Sequence, residues 1–433
     1  MGFSQNLFLI ITASVILVDV ATACSNGQCK ILDECSSNQD CEAGLYCFSC
    51  PAGFSGSRCV RSTITNQFKL LTFGLGLLHD DTMKMGRVSV TNQKRKSNRY
   101  RPYIFFIKVE TGRFRIIKKL GIPSGKLQNW ILHHKLNLLF NNSLPFNKYA
   151  FLTTHNAFAI DGYPSHTGIP RITVTDQEDS ITEQLNNGAR ALMLDTYDFH
   201  GDVWLCHSFK GQCYDFTAFG PAIDTLKEIE AFLSANPIEI VTLILEDYVQ
   251  APNGLTKVFA DSGLMKYWFP VSKMPKNGQD WPLVSDMVQN NQRLLVFTSI
   301  QSKEASEGIA YQWNYMVENQ YGDDGMKAGS CPNRKESSSL DDKSRSLVLI
   351  NYFRSISNKE LSCEDNSENL INMLRTCDGA AAGRWANFVA VNYYKRSEGG
   401  GSFQAVDLLN GKLLCGCDDI HACVVSSNED LAY

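Results

Sequence analysis

The stretch Ile238-Glu-Ile-Val-Thr-Leu-Ile-Leu-Glu-Asp247 decides the fold. An apolar run this continuous lacks the alternation of a half-exposed strand, so it predicts a parallel strand buried on both faces. Just before it, residues 222–235 carry a helical pattern that stops at Asn236-Pro237, where proline disfavours further helix. The same unit repeats outward from this pair. Further apolar runs lie at 150–154, 189–195, 203–206, 293–298, 346–352 and 387–393, and another helix is expected over 176–187. Strands alternating with crossovers from Tyr149 onward define an α/β chain. Seven visible strands predict a distorted (β/α)8 TIM-type barrel with one strand not located. The link from Asp195 to Val203 is too short for a helix, so the barrel is expected to be irregular there. A doubly wound open sheet is the competing architecture.

With 433 residues and 44% hydrophobic content the chain can bury a large core, which excludes a disordered protein. Leu7–Val18 is a 12-residue apolar stretch followed by Ala21-Thr-Ala23, which reads as a signal peptide over 1–23. It is too short to span a bilayer, which takes roughly 20 residues. Seven of the 15 cysteines (Cys24, Cys29, Cys35, Cys41, Cys47, Cys50 and Cys59) then crowd into a polar block. A block this small cannot fold on an apolar core, so residues 24–60 read as a small cysteine-rich disulfide module preceding the barrel. Its Cys50-Pro-Ala-Gly-Phe-Ser-Gly-Ser-Arg-Cys59 resembles the closing loop of an EGF-like repeat. Seven is an odd number, so either the eighth partner lies in the large domain or one thiol stays free. Cys206, Cys213, Cys331, Cys363, Cys377, Cys415, Cys417 and Cys423 read as disulfides of the barrel's loops.

Residues 71–140 stand apart, with 14 Lys and Arg against 3 Asp and Glu, a net +11 in a chain whose total is −4. A basic block of this kind suits anionic lipid or RNA. The flanks ending at Phe68-Lys-Leu and resuming at Asn141-Asn-Ser-Leu-Pro-Phe join naturally, so 61–140 reads instead as a linker with a foreign insert, such as a retained intron translated in frame. No nucleic-acid partner and no site residue is assigned to it. The barrel is then expected over 141–425, with a tail over 426–433, one glycosylation sequon at Asn141-Asn-Ser143, and a monomeric state.

Four of the runs close on groups that carry chemistry. Phe151-Leu-Thr-Thr-His-Asn156 and Val203-Trp-Leu-Cys-His-Ser208 each deliver an imidazole; Gly188–Asp195 and Ile238–Asp247 each deliver a carboxylate. In a barrel of parallel strands all C-terminal ends meet at one mouth, which would gather His155, Asn156, Asp195, His207 and Glu246. Two acid/base groups and a set of hard oxygen donors suit cleavage of a phosphodiester. The donors Asn156, Asp195 and Glu246 suit calcium, which takes carboxylate and amide oxygens.

These residues, in the order Thr-Thr-His155-Asn156-Ala-Phe, Gly188-Ala-Arg-x-x-x-Leu-Asp195, His207-Ser and Leu245-Glu246-Asp, resemble the X region of phosphatidylinositol-specific phospholipase C. Residues 141 to about 423 resemble the plant secreted PLC-like phosphodiesterases of that X-domain-containing family. The resemblance implies a distorted barrel in which His155 and His207 are the catalytic pair, the second protonating the leaving group, and in which Asn156, Asp195 and Glu246 match calcium-ligand positions. It implies a phospholipid or glycerophosphodiester substrate met at a membrane surface. The departures are equally specific. Met193 replaces an acidic ligand, and a soft thioether is a poor partner for calcium. Asp195 stands where metal-independent bacterial enzymes carry an arginine. The Y half and the C2 and pleckstrin modules of the intracellular enzymes are not evident, and Val424–Tyr433 is no glycolipid-anchor tail. The expected location is therefore extracellular, by way of the secretory pathway, without a GPI-anchor signal. Two alternatives share this inventory: a glycerophosphodiester phosphodiesterase-like or sphingomyelinase-D-like barrel, and an extracellular binding protein of weak turnover.

Overall fold

The computed structural model of the chain describes residues 24–50 except 32 and 44, 57–61, the backbone of 106–110 and 113–118, and 144–415 except 209, 210, 399 and 400. The expected signal peptide, sequon, C-terminal tail, Cys417 and Cys423 lie outside these residues. Within the basic insert the two backbone segments pair as antiparallel strands.

Eight parallel strands build the large domain: β1 (Phe151–Thr154), β2 (Ala191–Phe199), β3 (Val241–Tyr248), β4 (Leu294–Thr298), β5 (Ala310–Tyr311), β6 (Met316–Glu318), β7 (Leu347–Tyr352) and β8 (Phe388–Val391). They run in the order β5-β4-β3-β2-β1-β8-β7-β6. Each neighbouring pair is parallel. Sequential order around β1 is that of a (β/α)8 barrel, not of a doubly wound sheet. The distortion is a seam, since β5 and β6 do not pair with each other.

The strand inventory corrects one expectation. The run 203–206 is not a barrel strand: Asp202–Cys206 pairs antiparallel with the outer end of β2, from Thr196↔Leu205 to Phe199↔Asp202. The turn His200-Gly201 joins them with both residues at positive φ (49° and 76°), as a two-residue hairpin of the right twist requires. The returning strand also pairs antiparallel with Ala218–Pro221. β5 and β6, only two and three residues long, complete the eight.

Alternation along each strand sorts side chains between an inner core and two outer shells. Phe151, Ala191, Ile244, Phe297, Met316, Leu349 and Phe388 fill the barrel with Phe146 and Tyr149. Leu192, Leu194, Leu243 and Leu245 face outward onto α2 (Ala222–Ala235), whose Leu226, Ile229 and Leu233 form one helical stripe. Leu152, Val348, Ile350 and Val389 face outward onto α4 (Leu370–Ala380) and α5 (Gly401–Cys415). Each such large side chain, fully buried, contributes roughly 1.5–3 kcal/mol. The helix expected over 176–187 is shorter. As α1 it spans Ile181–Asn186, because Ser180 and Glu183 form a capping box that starts it there. Residues 176–179 are thereby left in the loop. α3 (Gly254–Asp261) packs beside α2.

The cysteine-rich module is a three-stranded antiparallel sheet of Glu34–Cys35, Leu45–Phe48 and Ser57–Arg61. Buried Cys29, Cys41 and Cys59 take the place of an apolar core. Cys24–Cys29, Cys35–Cys47 and Cys41–Cys59 are bonded within it. The seventh cysteine, Cys50, bonds Cys363 of the barrel, so Cys50 and Cys59 do not close a loop together. Arg61 pairs at 2.8 Å with buried Asp407 of α5, a second tie to the barrel. Cys206–Cys213 closes a loop of the barrel, and Cys331–Cys377 ties a loop to α4. Among the described residues no helix is long and apolar enough to cross a membrane.

Candidate active site

The alternation that fills the barrel also decides which polar residues enter its mouth. His155 follows Phe151 and Thr153 in parity; Asp195 follows Ala191 and Met193; Glu246 follows Ile244; Glu318 follows Met316; Asn351 follows Leu349; Asn392 follows Phe388 and Ala390. Each therefore lies one layer above the apolar interior on the mouth side, His155 and Asn392 just past their strands and Asp195 just before β2 continues into the hairpin at Thr196. Asp247, the next residue along β3, has the opposite parity and is buried with Thr298 (2.8 Å) and Lys303 (3.3 Å) outside the mouth.

His155, Asn156, Asp195, His207 and Glu246 all line one cavity of about 220 Å³. The two histidines reach it by different routes. His155 ends β1, and its ring lies flat on Phe353, with centroids 3.6 Å apart and planes 7° apart. Asn392 Nδ2 donates to Asp176 Oδ1 (2.8 Å) and to Ser357 Oγ (3.0 Å), so its Oδ1 is the acceptor that meets His155 Nδ1 at 2.8 Å. His155 Nδ1 therefore carries hydrogen, and Nε2 is left for the cavity. Burial pushes the His155 pKa below the ordinary imidazole value, outweighing the opposing pull of Asp176 and of the Asn392 hydrogen bond.

His207 arrives on the returning arm of the hairpin rather than on a barrel strand. Its Nδ1 lies 3.0 Å from the Val174 carbonyl, which can only accept, so this ring too carries hydrogen on Nδ1. Its backbone is held by Thr217 (3.1 Å) and by the Thr173 hydroxyl (2.8 Å), and the Cys206–Cys213 bond closes the loop beyond it.

Asp195 and Glu246 are register partners on adjacent parallel strands, which sets their backbones about 4.8 Å apart. Burial, and then the charges of Glu246 and Asp176, push the Asp195 carboxyl well above the usual range. The Tyr248 hydroxyl donates to Glu246 Oε1, and Tyr248 stacks on Tyr197 (centroids 4.5 Å). Asn156 takes φ 41°, and its Nδ2 donates to Asp176 Oδ2 at 3.0 Å, leaving Oδ1 as a neutral oxygen donor. Two adjacent carboxylates under mutual strain and one amide oxygen are hard donors that fit a calcium ion, as a partial set. Met193 sits one layer lower, opposite Ile244 in register and packed on the apolar interior. That layer explains why a thioether is accommodated there. The sulfurs of Cys35, Cys41 and Cys59 also lie close together, but all three are in disulfides.

Several lining residues were not anticipated. Glu318 is fully buried and saturated, accepting from Gln312 (2.8 Å), Trp313 (2.9 Å) and Asn351 (2.8 Å) and pairing with Arg334 (3.3 Å). Arg354 is held by two 2.7 Å bonds to Asp365. Asp176, from the loop before α1, touches Asn156 and Asn392 and lies 3.4 Å from His207 Nδ1. Asn351 and Asn392 had a signal, since their runs both close on Asn-Tyr with the parity of the interior. Asp176 had none, because it stands in an irregular loop.

Fold and site together define an eight-stranded parallel barrel whose C-terminal mouth holds paired imidazoles beside paired carboxylates. The PI-PLC X family model (PI-PLC X 1) matches residues 146–392, more than half of the chain. A PI-PLC X domain-containing protein of Arabidopsis thaliana is 46% identical over 418 residues, covering 95% of this chain and 82% of that protein. The chain belongs to the PI-PLC X family. An uncharacterized secreted protein of Arthroderma benhamiae is 25% identical over 297 residues, covering 62% of this chain and 64% of that protein. Among solved structures, the phosphatidylinositol-specific phospholipase C of Listeria monocytogenes matches 62% of this chain and 94% of its own, with 13% identity and a TM-score of 0.42.

Proposed function

We propose that the protein is an extracellular phosphoric diester hydrolase of the phospholipase C type, acting on phosphatidylinositol or a related phosphodiester by acid–base catalysis. The observation that carries this reading is the matched pair of imidazoles on one cavity, each with Nδ1 occupied and Nε2 free. In the reaction, His155 Nε2 takes the proton of the attacking hydroxyl as its oxygen bonds to phosphorus. His207, entering the step with hydrogen on both ring nitrogens, gives its Nε2 proton to the leaving oxygen as the opposite P–O bond breaks and is left with hydrogen on Nδ1 alone. A headgroup whose own hydroxyl attacks yields a cyclic phosphate and frees diacylglycerol. Positioned acid–base groups of this kind typically contribute about 10²–10⁴-fold. Asn156, Asp195 and Glu246 would hold a calcium ion, which when bound offsets negative charge developing at phosphorus.

A lipid substrate is supported by the rim. Ile172 (76% exposed) and Val174 precede the Asp176 loop, and Ile356 (74% exposed) lies between Ser355 and Ser357 of the cavity wall. Exposed apolar side chains around a polar mouth suit contact with a membrane surface. Extracellular location is supported by six disulfides among the described residues, a count that a reducing cytosol would not maintain.

The test is hydrolysis of phosphatidylinositol and of glycerophosphodiesters, with and without a calcium chelator. A cyclic inositol phosphate supports the reading, glycerol phosphate favours the glycerophosphodiesterase alternative, and no product from either sinks the enzymatic account.

A further inference from the structure

We infer that Asp176 is a positioning residue that sets the tautomer of His155 through Asn392, stands as a carboxylate beside His207 Nδ1, and turns Asn156 toward the cavity. The inference rests on the phosphodiesterase reading for its consequence in turnover, while its geometry stands independently of it. Asp176 is 1% exposed, and its two oxygens face three side chains of the site. Oδ1 accepts from Asn392 Nδ2 at 2.8 Å, which turns Asn392 Oδ1 toward His155 Nδ1, also at 2.8 Å. Oδ2 accepts from Asn156 Nδ2 at 3.0 Å and lies 3.4 Å from His207 Nδ1, whose hydrogen goes to Val174 O at 3.0 Å. One carboxyl thus stands behind both rings, through an amide on one side and directly on the other.

The loop that carries it is anchored as a support should be. Asp176 N donates to Ala159 O (2.8 Å), and Tyr393 N donates to Asp176 O (2.7 Å), tying it to the ends of β1 and β8. Two residues on, Glu178 accepts two bonds from Arg396 (2.6 and 2.8 Å) and pairs with Lys359 at 3.0 Å. The orientation logic is directional. An acceptor at Oδ1 is what obliges Asn392 to present its amide nitrogen there and its carbonyl oxygen to His155. An Asn at 176 would bring an NH2 group against either the Asn392 or the Asn156 amide, and one of them would have to turn over. A reversed Asn392 offers N–H to His155, which moves the ring hydrogen to Nε2 and removes the free lone pair that takes the proton.

The experiment is Asp176→Asn in the full chain, read by nitrogen-15 shifts of the ring nitrogens and by separate kcat and KM. Signals are assigned with His155→Ala and His207→Ala. The wild type should show both rings with hydrogen on Nδ1. Asp176→Asn should move at least one of them to Nε2–H, with kcat lower by about 10²-fold or more and KM changed by less than about threefold, the pattern of a misplaced acid–base group. Asn392→Ala guards against a folding defect: it severs only the His155 branch, so the His155 signals should change and those of His207 should not. Unchanged tautomers in both variants overturn the inference, as does an Asp176→Asn kcat within threefold of wild type. If the wild type turns over no phosphodiester, the ring-nitrogen shifts still decide the positioning role, and the failure falls on the enzymatic reading alone.

Discussion

His155 and His207 share one cavity and one tautomer, yet the chain supports them in opposite ways. His155 stands at the end of a parallel strand, sandwiched between Phe353 and Asn392, where burial holds its pKa down. His207 stands on a hairpin arm outside the barrel, on a partly exposed loop closed by Cys206–Cys213 and steadied by backbone carbonyl and hydroxyl contacts. A rigid core supplies the first ring, and covalent and loop bracing supplies the second. The comparison teaches that two imidazoles can be brought to one cavity by unlike elements, with one buried carboxyl, Asp176, lying beside both supports.

The sharpest way to break this comparison is to remove each ring. His155→Ala and His207→Ala should each lower kcat by about 10²–10⁴-fold, and the double variant should fall little further, because both serve one proton-transfer sequence. Additive losses in steady-state assays would separate the two histidines into independent roles. Next in size, Cys206→Ser with Cys213→Ser should cost roughly 2 kcal/mol of stability in denaturant unfolding, the scale for a bond closing a short loop. It should weaken the His207 side while leaving the His155 ring signals in place; a change confined to His155 would reverse the assignment of supports. Phe353→Leu removes the face on which His155 lies and should cost about 1–1.5 kcal/mol, with the kinetic defect on the His155 side.

The smallest effect concerns the loop that carries Val174 and Asp176. Burial tends to raise the Glu178 pKa, but the bonds from Arg396 and Lys359 overcome it and hold the carboxyl below its usual value. A group with a depressed folded pKa stabilises above its unfolded value and loses that contribution as pH falls through the folded one. Glu178→Gln should therefore cost about 1 kcal/mol near neutral pH, discounted for its partial exposure, and progressively less as pH falls below the usual carboxylate range. Equal unfolding curves at neutral pH would show that the clamp adds no stability.

Much of this architecture was legible in the sequence, and its gaps have physical causes. The run 238–245 and the helix 222–235 emerge as β3 and α2 because a strand buried on both faces and a striped helix each leave a long, unambiguous pattern. β5 and β6 leave none, since two or three residues cannot display a period. The run 203–206 was misplaced because an antiparallel return over a protein surface can be as apolar as a barrel strand; the positive-φ turn at His200-Gly201 was the clue. Ser180-Ile-Thr-Glu183 is the capping box that starts α1, so Asp176, expected within a helix over 176–187, lies in the loop before it. His155, Asp195 and Glu246 were readable from strand ends. Glu318 and Arg334 lie beside the short strand β6 and its loop, where no pattern pointed to them.

The measurement that bears most directly on the paired-imidazole account is phosphorus-31 NMR of phosphatidylinositol vesicles mixed with wild-type protein, His155→Ala or His207→Ala. A cyclic phosphodiester resonance that grows with the wild type and is absent with either variant is the predicted result. The same resonance growing at the same rate in all three samples would contradict it.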